Sequence, residues 1–378
     1  MNRILINLDA IHENLETIGG WMEQHGAGWT VVTKALCGHR ETLKALQHMG
    51  VRSMGDSRLE NLEVIERIRP ELEAWYLRIP DLSSVSDVIR LSEVSLNSEI
   101  GVIEALGAEA RKQERVHGVV IMIELGDLRE GILPGSLMDF YKHVFHLPNI
   151  EVKGIGANLG CLAGAVPTVD QFMQLILYRE LLELKFEHPL RLISAGSSAV
   201  LPLVLDRQLP RPVNHFRIGE AVFLGTDLLN GGILPGLRGD AIVLEAEIAE
   251  IKKKGLVPLQ ETAPVAPFPS EAAEDLTPGQ RGYRALVGVG NLDTEISGLT
   301  PVNAQYSIAG SSSDITVVNI GDERDGLHVG DTIQFRPDYA AFVRLMNGQY
   351  MEKVVQPSVE SFRKDRDEGS FQVAPVLE

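Results

Sequence analysis

Lys34 is the residue around which chemistry is most readily built. It closes the run Thr30-Val31-Val32-Thr33-Lys34, just before Cys37-Gly38-His39. A β-branched run is a buried strand, and a lysine delivered at its end sits among apolar neighbours. Desolvation there lowers an ammonium pKa from about 10.4, which leaves some neutral amine. Such an amine forms a Schiff base with an aldehyde cofactor. The plain alternative is a strand-end lysine whose stem lies on apolar surface and whose head reaches water. Three more stretches carry suitable groups. Ser194-Ala195-Gly196-Ser197-Ser198 offers small residues, hydroxyls and backbone amides that suit a phosphate, or form an ordinary turn. Arg217-Ile218-Gly219-Glu220 places an arginine in an apolar strand, where it needs a partner. Glu124-Leu125-Gly126-Asp127-Leu128-Arg129-Glu130-Gly131 is a polar site or a charged loop.

These groups need a frame, and the pattern supplies one. Leu8, Ile11, Leu15, Ile18 and Met22 recur at helical spacing over 8–25, and Gly26 stops that helix. Strand-like runs then follow at 30–35, 52–56, 74–79, 93–97, 117–125, 152–158, 189–195 and 214–223. Ser57-x-x-Glu60 and Thr168-x-x-Gln171 read as capping boxes that open two of the intervening helices. Eight β/α units predict a (β/α)8 TIM-type barrel, with a doubly wound sheet as the alternative. A barrel puts active residues at the C-terminal ends of its strands. That weights Lys34, Asp56, Arg78, Asn97, Arg129, Asn158, Ser197, Ser198 and Arg217. The phosphate seat of such barrels commonly follows strands seven and eight, where the serine and Arg217 stretches lie.

The texture changes after 235. Strand-like runs at 241–248, 284–290, 315–320, 332–336 and 339–344 predict a mostly β domain over 236–356, following a barrel over 1–235. The Pro-rich stretch 262–278 reads as a loop, and 357–378 as a polar tail that is poorly ordered or strapped on a neighbour. The fold class is therefore α/β, a barrel with a C-terminal β domain.

The chain has 378 residues, 44% hydrophobic and 23% charged, an ordinary globular balance. Its formal net charge of -17 argues against a general nucleic-acid or acidic-membrane binder, although it leaves room for a local phosphate pocket. Cys37 and Cys161 are too few and too far apart for a disulfide framework or a clustered zinc site. No signal peptide or membrane span is visible, so the expected location is the cytoplasm.

Five stretches together resemble the PLP-dependent alanine racemase family of fold type III, and most closely its alanine/ornithine racemase branch. They are Val32-Thr33-Lys34-Ala35 with Gly38-His39, Gly126–Ile132, Gly196-Ser197-Ser198, Arg217–Ala221, and Ser312-Ser313-Asp314 followed by Val329-Gly330-Asp331. The resemblance spans about Ile6 to Val354 and implies pyridoxal 5'-phosphate as cofactor. It makes Lys34 the cofactor lysine and the base on one face of the substrate. Arg217 would face the pyridine nitrogen and keep it unprotonated, which favours proton exchange at the α-carbon over wider carbanion chemistry. Ser197 and Ser198 with the amides of Gly219 and Glu220 would seat the phosphate. Arg129 would lie near the phenolic oxygen, and Asn158 stands where many relatives have a histidine. Asp127, Glu130, Ser313 and Asp314 are the expected substrate neighbours. Glu124, Asp127, Glu130 and Glu220 would suit a distal ammonium.

Three positions depart from the family pattern. The tyrosine donated across the dimer as second base is replaced in Gly290-Asn291-Leu292-Asp293, and an amide cannot take a proton. Met122 stands for a lysine that is carbamylated in many relatives. The segment after Lys34 is one residue shorter and lacks a phosphate-contacting tyrosine. Tyr339 and Tyr350 are the expected second-face catalytic residues, with Tyr283, Cys161 and Asp314 as further candidates. Zinc-using relatives carry histidine with cysteine or aspartate near the C-terminus. Here His328 is the only histidine after 215 and no cysteine follows 161, so no metal is expected. The implied activity is racemisation of an amino acid, whether ornithine, lysine or alanine, by a homodimer with shared sites. The alternatives are a PLP-dependent lyase of the same fold type and a non-catalytic PLP carrier.

Overall fold

The computed structural model describes residues 2–69, 71–160, 162, 164–257 and 279–367. Cys161 and the stretch 262–278, both singled out above, lie outside them. The chain divides into two compact units, one of Met1–Ala10 with Gly239–Val359, the other of Ile11–Arg238 joined by residues from Glu360 onward.

The first strand, β1 (Arg3–Asn7), belongs to the smaller unit. The barrel unit is built on β2 (Gly28–Val32), β3 (Ser53–Asp56), β4 (Glu73–Tyr76), β5 (Val94–Asn97), β6 (His117–Met122), β7 (Ile150–Gly156), β8 (Leu192–Gly196) and β9 (His215–Ile218). All eight pair in parallel, and β9 returns to β2 with Thr30 opposite Arg217, so the sheet closes. Each of the eight runs read from sequence overlaps one of these strands, but the last, 214–223, is too long, because Glu220–Leu224 is helix. Each short strand is followed by an amphipathic helix, which forces the parallel arrangement because consecutive strands must return to the same end. The helices are α1 (Leu8–His25), α2 (Arg40–His48), α3 (Leu59–Ile68), α4 (Val85–Leu91), α5 (Ile100–Lys112), α6 (Leu137–Val144), α7 (Val169–Phe186), α8 (Leu201–Leu205) and α9 (Glu220–Leu224), with α10 (Tyr339–Asn347) and α11 (Val359–Asp367) later in the chain. The stripe Leu8, Ile11, Leu15, Ile18 and Met22 of α1 is buried, as its spacing requires.

The two capping boxes fare differently. Thr168 and Gln171 form theirs at the start of α7. At α3 the cap residue is Arg58, and no box forms with Ser57 and Glu60. Asp56 instead accepts from the Arg58 amide at 2.9 Å, so the carboxylate one residue upstream of Ser57 takes over the orphan donor.

The smaller unit is a sheet in the order β12 (Leu299–Pro301), β15 (Thr332–Pro337), β10 (Ile242–Gly255), β11 (Arg281–Val287), β14 (Thr316–Gly321), β13 (Ser307–Ser311), with β16 (Glu352–Gln356) beside β1. Two readings need correction here. Arg3–Asn7 joins this sheet, because β1 pairs antiparallel with β10 and parallel with β16, burying Ile4 and Ile6 completely. The run 339–344 is helix, not strand. Asp338 caps α10 by accepting from the Ala341 amide at 2.8 Å, and Ala341, Phe342, Leu345 and Met346 form its buried face. The expected tail holds structure as far as it is described: α11 begins at Val359, the Phe362 ring is buried edge-on to His12 at 5.8 Å, and 368–378 lie outside the described residues. Among the described residues, no helix is long and apolar enough to cross a membrane.

Candidate active site

The strand ends of the barrel bring together most of the residues picked from sequence. Lys34 follows β2 and opens a single 3-10 turn, Lys34–Leu36. It is exposed, so the strand delivers the side chain to the rim rather than burying it. Thr33, just before it, is fastened: its hydroxyl donates to Asp56 Oδ2 at 2.9 Å. Asp56 is fully buried at the end of β3 and accepts from Asn61 Nδ2 at 3.0 Å as well. Burial pushes its carboxyl above the usual range, while these donors pull the other way. The backbone that carries Lys34 is therefore pinned one residue upstream.

Arg217 lies on β9 and is almost buried. One guanidinium nitrogen donates to the Ser194 carbonyl and hydroxyl, both at 2.5 Å. The other donates to the Ala157 carbonyl at 3.0 Å and to Asn158 Oδ1 at 2.8 Å. Four acceptors on two adjacent strand ends fix the plane of the guanidinium. Asn158 passes the contact on, since its amide donates to Glu130, which also pairs with Arg129. A polar chain thus runs Arg217–Asn158–Glu130–Arg129.

The loop after β6 is internally braced. Glu124 accepts from the amides of Leu128 and Arg129 at 3.1 and 3.2 Å. Asp127 is buried and accepts from the Leu162 amide at 3.0 Å, so its carboxylate is spent on loop backbone. Gly131 has φ +149°, and a Cβ there would lie 2.4 Å from the Glu124 nitrogen; no other residue fits this crossing.

After β8, Ser197 is the N-cap of a 3-10 turn and Ser198 accepts from the Ala221 amide at 3.2 Å, tying that turn to the start of α9. Gly219 precedes α9. A Cβ on it would come 2.7 Å from the Val32 carbonyl, so the chain passes close to the end of β2 and leaves the amides of Gly219 and Glu220 uncrowded by a side chain. Of the other weighted strand-end residues, Arg78 is exposed and pairs with Asp81 at 3.0 Å, and Asn97 is buried and donates to Ser95.

The second-face candidates lie in the smaller unit. Asn291 donates to Ser311 Oγ at 2.8 Å and to the Ser312 carbonyl at 2.9 Å, so its amide braces a loop. Ser313 and Asp314 sit against that loop: the Leu292 amide donates to the Ser313 carbonyl at 2.8 Å, and Asp314 is exposed. Tyr339 is half-buried at the first position of α10, and Tyr350 is 86% exposed. Tyr283 lies beneath Lys253 and Arg324, 5.8 and 5.6 Å from its ring centre. Among the described residues, no group of three or more His, Cys, Asp or Glu side chains is placed to hold a metal ion.

Sequence reasoning missed the layer behind Arg217. Ser194, His215, Thr30 and Ser53 form a buried polar row inside the barrel. The signal was available, because His215 and Arg217 are two apart on one strand and so share a face.

Residues 6–227 match the family described as the alanine racemase N-terminal domain. The ornithine racemase of Acetoanaerobium sticklandii is 33% identical over 93% of this chain and 98% of its own length. The lysine racemase of Thermotoga maritima is 29% identical over 94% and 99%. Among solved structures, the biosynthetic alanine racemase from Pseudomonas aeruginosa superposes with a TM-score of 0.72 at 17% identity, covering 94% of this chain and 99% of that one. The alanine racemase from Bartonella henselae with covalently bound pyridoxal phosphate gives 0.69 at 15%, with 94% and 99% covered. A closed parallel barrel with an antiparallel β domain, matched over most of the first and aligned with relatives through both, means that this chain belongs to the alanine racemase family and is an amino-acid racemase.

Proposed function

We propose that this racemase holds pyridoxal phosphate on Lys34 and interconverts the L and D forms of a basic amino acid, ornithine or lysine. The observation that carries the reading is the four-bonded clamp on Arg217 facing the same barrel mouth as Lys34. The residues fit the cofactor. A rigid guanidinium suits a ring nitrogen. The Gly219 approach to Val32 and the Ser198 tie leave a side-chain-free run of amides for a phosphate. Ser197, Ser198, Gly219 and Glu220 would hold that phosphate, with Arg129 and Asn158 beside the ring.

When bound, the cofactor draws electrons from the substrate's α-carbon and makes its hydrogen removable. Arg217, a permanent cation, keeps the ring nitrogen without a proton. Lys34 Nζ takes or returns the α-proton on one face. A racemase needs a second acid–base group on the other face. We assign it to the smaller unit, at Asp314, Tyr339 or Tyr350. Asp314 has the strongest support, being an exposed carboxylate against the loop of Asn291, whose own amide is engaged. The sites are shared within a cytoplasmic homodimer, as the family resemblance implies.

The substrate assignment follows the two full-length relatives and the acidic mouth. Glu124 and Asp127 are occupied by loop amides. Glu130, which pairs with Arg129 and accepts from the Asn158 amide, and Glu220, at the first turn of α9, are the groups we assign to a distal ammonium, with Ser313 near the substrate. Borohydride reduction and digestion tests the cofactor bond. A pyridoxyl mark on the Lys34 peptide is expected, and its absence overturns the reading. Chiral chromatography of ornithine, lysine and alanine reactions in deuterated water tests the rest. Exchange with inversion of ornithine or lysine is expected. Exchange with retention would mean a single working base, and exchange of alanine alone would overturn the substrate.

A further inference from the structure

We propose that His215 is a positioning residue for this reaction: acting through the Ser194 hydroxyl, it aims the Arg217 guanidinium at the cofactor's ring nitrogen. The inference rests on the site reading given above and adds a residue that touches neither cofactor nor substrate.

Hydrogen counting fixes the direction of the row. Arg217 can only donate, so Ser194 Oγ accepts from it at 2.5 Å. The serine hydrogen must then go elsewhere, and His215 Nδ1 stands 2.9 Å away. Nδ1 is therefore the bare, accepting nitrogen. Nε2 carries the hydrogen and donates to Thr30 Oγ1 at 3.2 Å, which donates in turn to Ser53 Oγ at 2.8 Å. The reverse direction would aim two donors at Ser194 Oγ and leave its hydrogen without an acceptor in a buried site, at a cost of about 1–3 kcal/mol.

The row also excludes a charged ring. An imidazolium would point a second donor at Ser194 and set a second cation beside Arg217. Burial and that neighbouring charge push the His215 pKa down to about 3. The Trp75 indole stacks on the imidazole at 4.4 Å with only 10° between planes, so the ring cannot rotate out of line. His215 thus supplies Arg217 with an oriented neutral acceptor through one hydroxyl, whatever the ambient pH near neutrality.

The test uses the full-length protein, loaded with pyridoxal phosphate labelled with 15N in the ring, and three variants. His215→Phe keeps a flat ring against Trp75 but removes the acceptor. Ser194→Ala removes the link. His215→Asn restores an acceptor near the Nδ1 position. Histidine 15N resonances, assigned by their loss in His215→Phe, should show His215 protonated at Nε2 and bare at Nδ1. The cofactor ring-nitrogen resonance should move away from its wild-type value in His215→Phe and Ser194→Ala and return toward it in His215→Asn. A lesion that is merely structural would not be rescued by the smaller asparagine, which loses the stacked ring. An Nδ1–H tautomer overturns the proposal. So does an unmoved ring-nitrogen resonance in His215→Phe when borohydride still marks Lys34. If wild-type Lys34 takes no mark, the site reading itself falls, and this inference falls with it.

Discussion

Acidifying the solution from pH 7 to pH 5 should weaken the barrel by an amount traceable to two histidines. His117, on β6, is 2% exposed, with Nε2 held 2.7 Å from Ser95 Oγ. Burial, with help from Arg115, lowers its pKa to about 4; that of His215 falls to about 3. In the unfolded chain both return to about 6.5. The unfolded state therefore binds more protons than the folded state between those limits, and stability rises with pH across the window. The full contribution is present above pH 6.5 and drains away as pH falls toward 4 for His117 and 3 for His215. At pH 5 an unfolded histidine has gained roughly 2 kcal/mol from protonation while the folded ring stays neutral, so the pair costs about 4 kcal/mol. His117→Gln keeps a polar group near Ser95 but cannot titrate. Urea unfolding followed by fluorescence at both pH values should show the variant losing about 2 kcal/mol less than wild type on acidification, with an unchanged m-value. Equal losses in the two proteins would refute the argument, because they would mean that native His117 accepts a proton at pH 5.

Other positions give sharper local outcomes. Gly131→Ala forces a Cβ to within 2.4 Å of the Glu124 nitrogen, so the loop should open and cofactor retention on dialysis should fall while the barrel still melts cooperatively. Asp127→Ala removes the acceptor for the Leu162 amide and should cost about 1–3 kcal/mol in unfolding assays without changing the preference between ornithine and alanine. Glu220→Gln should instead raise KM selectively for basic amino acids, and an unaltered ratio in steady-state assays would remove it as the ammonium reader. Asp314→Asn should leave exchange with retention measurable by deuterium uptake in one enantiomer while inversion is lost.

The barrel was legible because its eight strands are separated by helices with strong apolar periodicity, and because each strand end carries a polar residue. Lys34, Arg217 and Ser197 stand where that periodicity breaks. Helix α10 was misread because Tyr339–Arg344 offers only six residues of mixed apolar character; Asp338, one position earlier, decides it by capping. The membership of β1 in the distal sheet was invisible, since pairing partners more than two hundred residues away leave no local trace. Asp56 could be weighted as a strand end, yet its grip on Thr33 depends on the lateral neighbour relation of β2 and β3, which sequence gives only once the barrel is assumed. The Arg217–Asn158–Glu130–Arg129 chain joins strand β9 to the loops after β7 and β6 and could not be read from any one of them.

The placement of β1 bears on synthesis. Its two partners, beginning at Ile242 and Glu352, leave the ribosome after the barrel strands, so Arg3–Asn7 must wait unpaired while the residues of the barrel emerge and associate. Ile4 and Ile6 are then sticky surface until β10 and β16 have emerged. A bulky amino-terminal fusion, or a stop codon before residue 352, would strand that edge and should turn up as insoluble protein well before it shows as a slower enzyme.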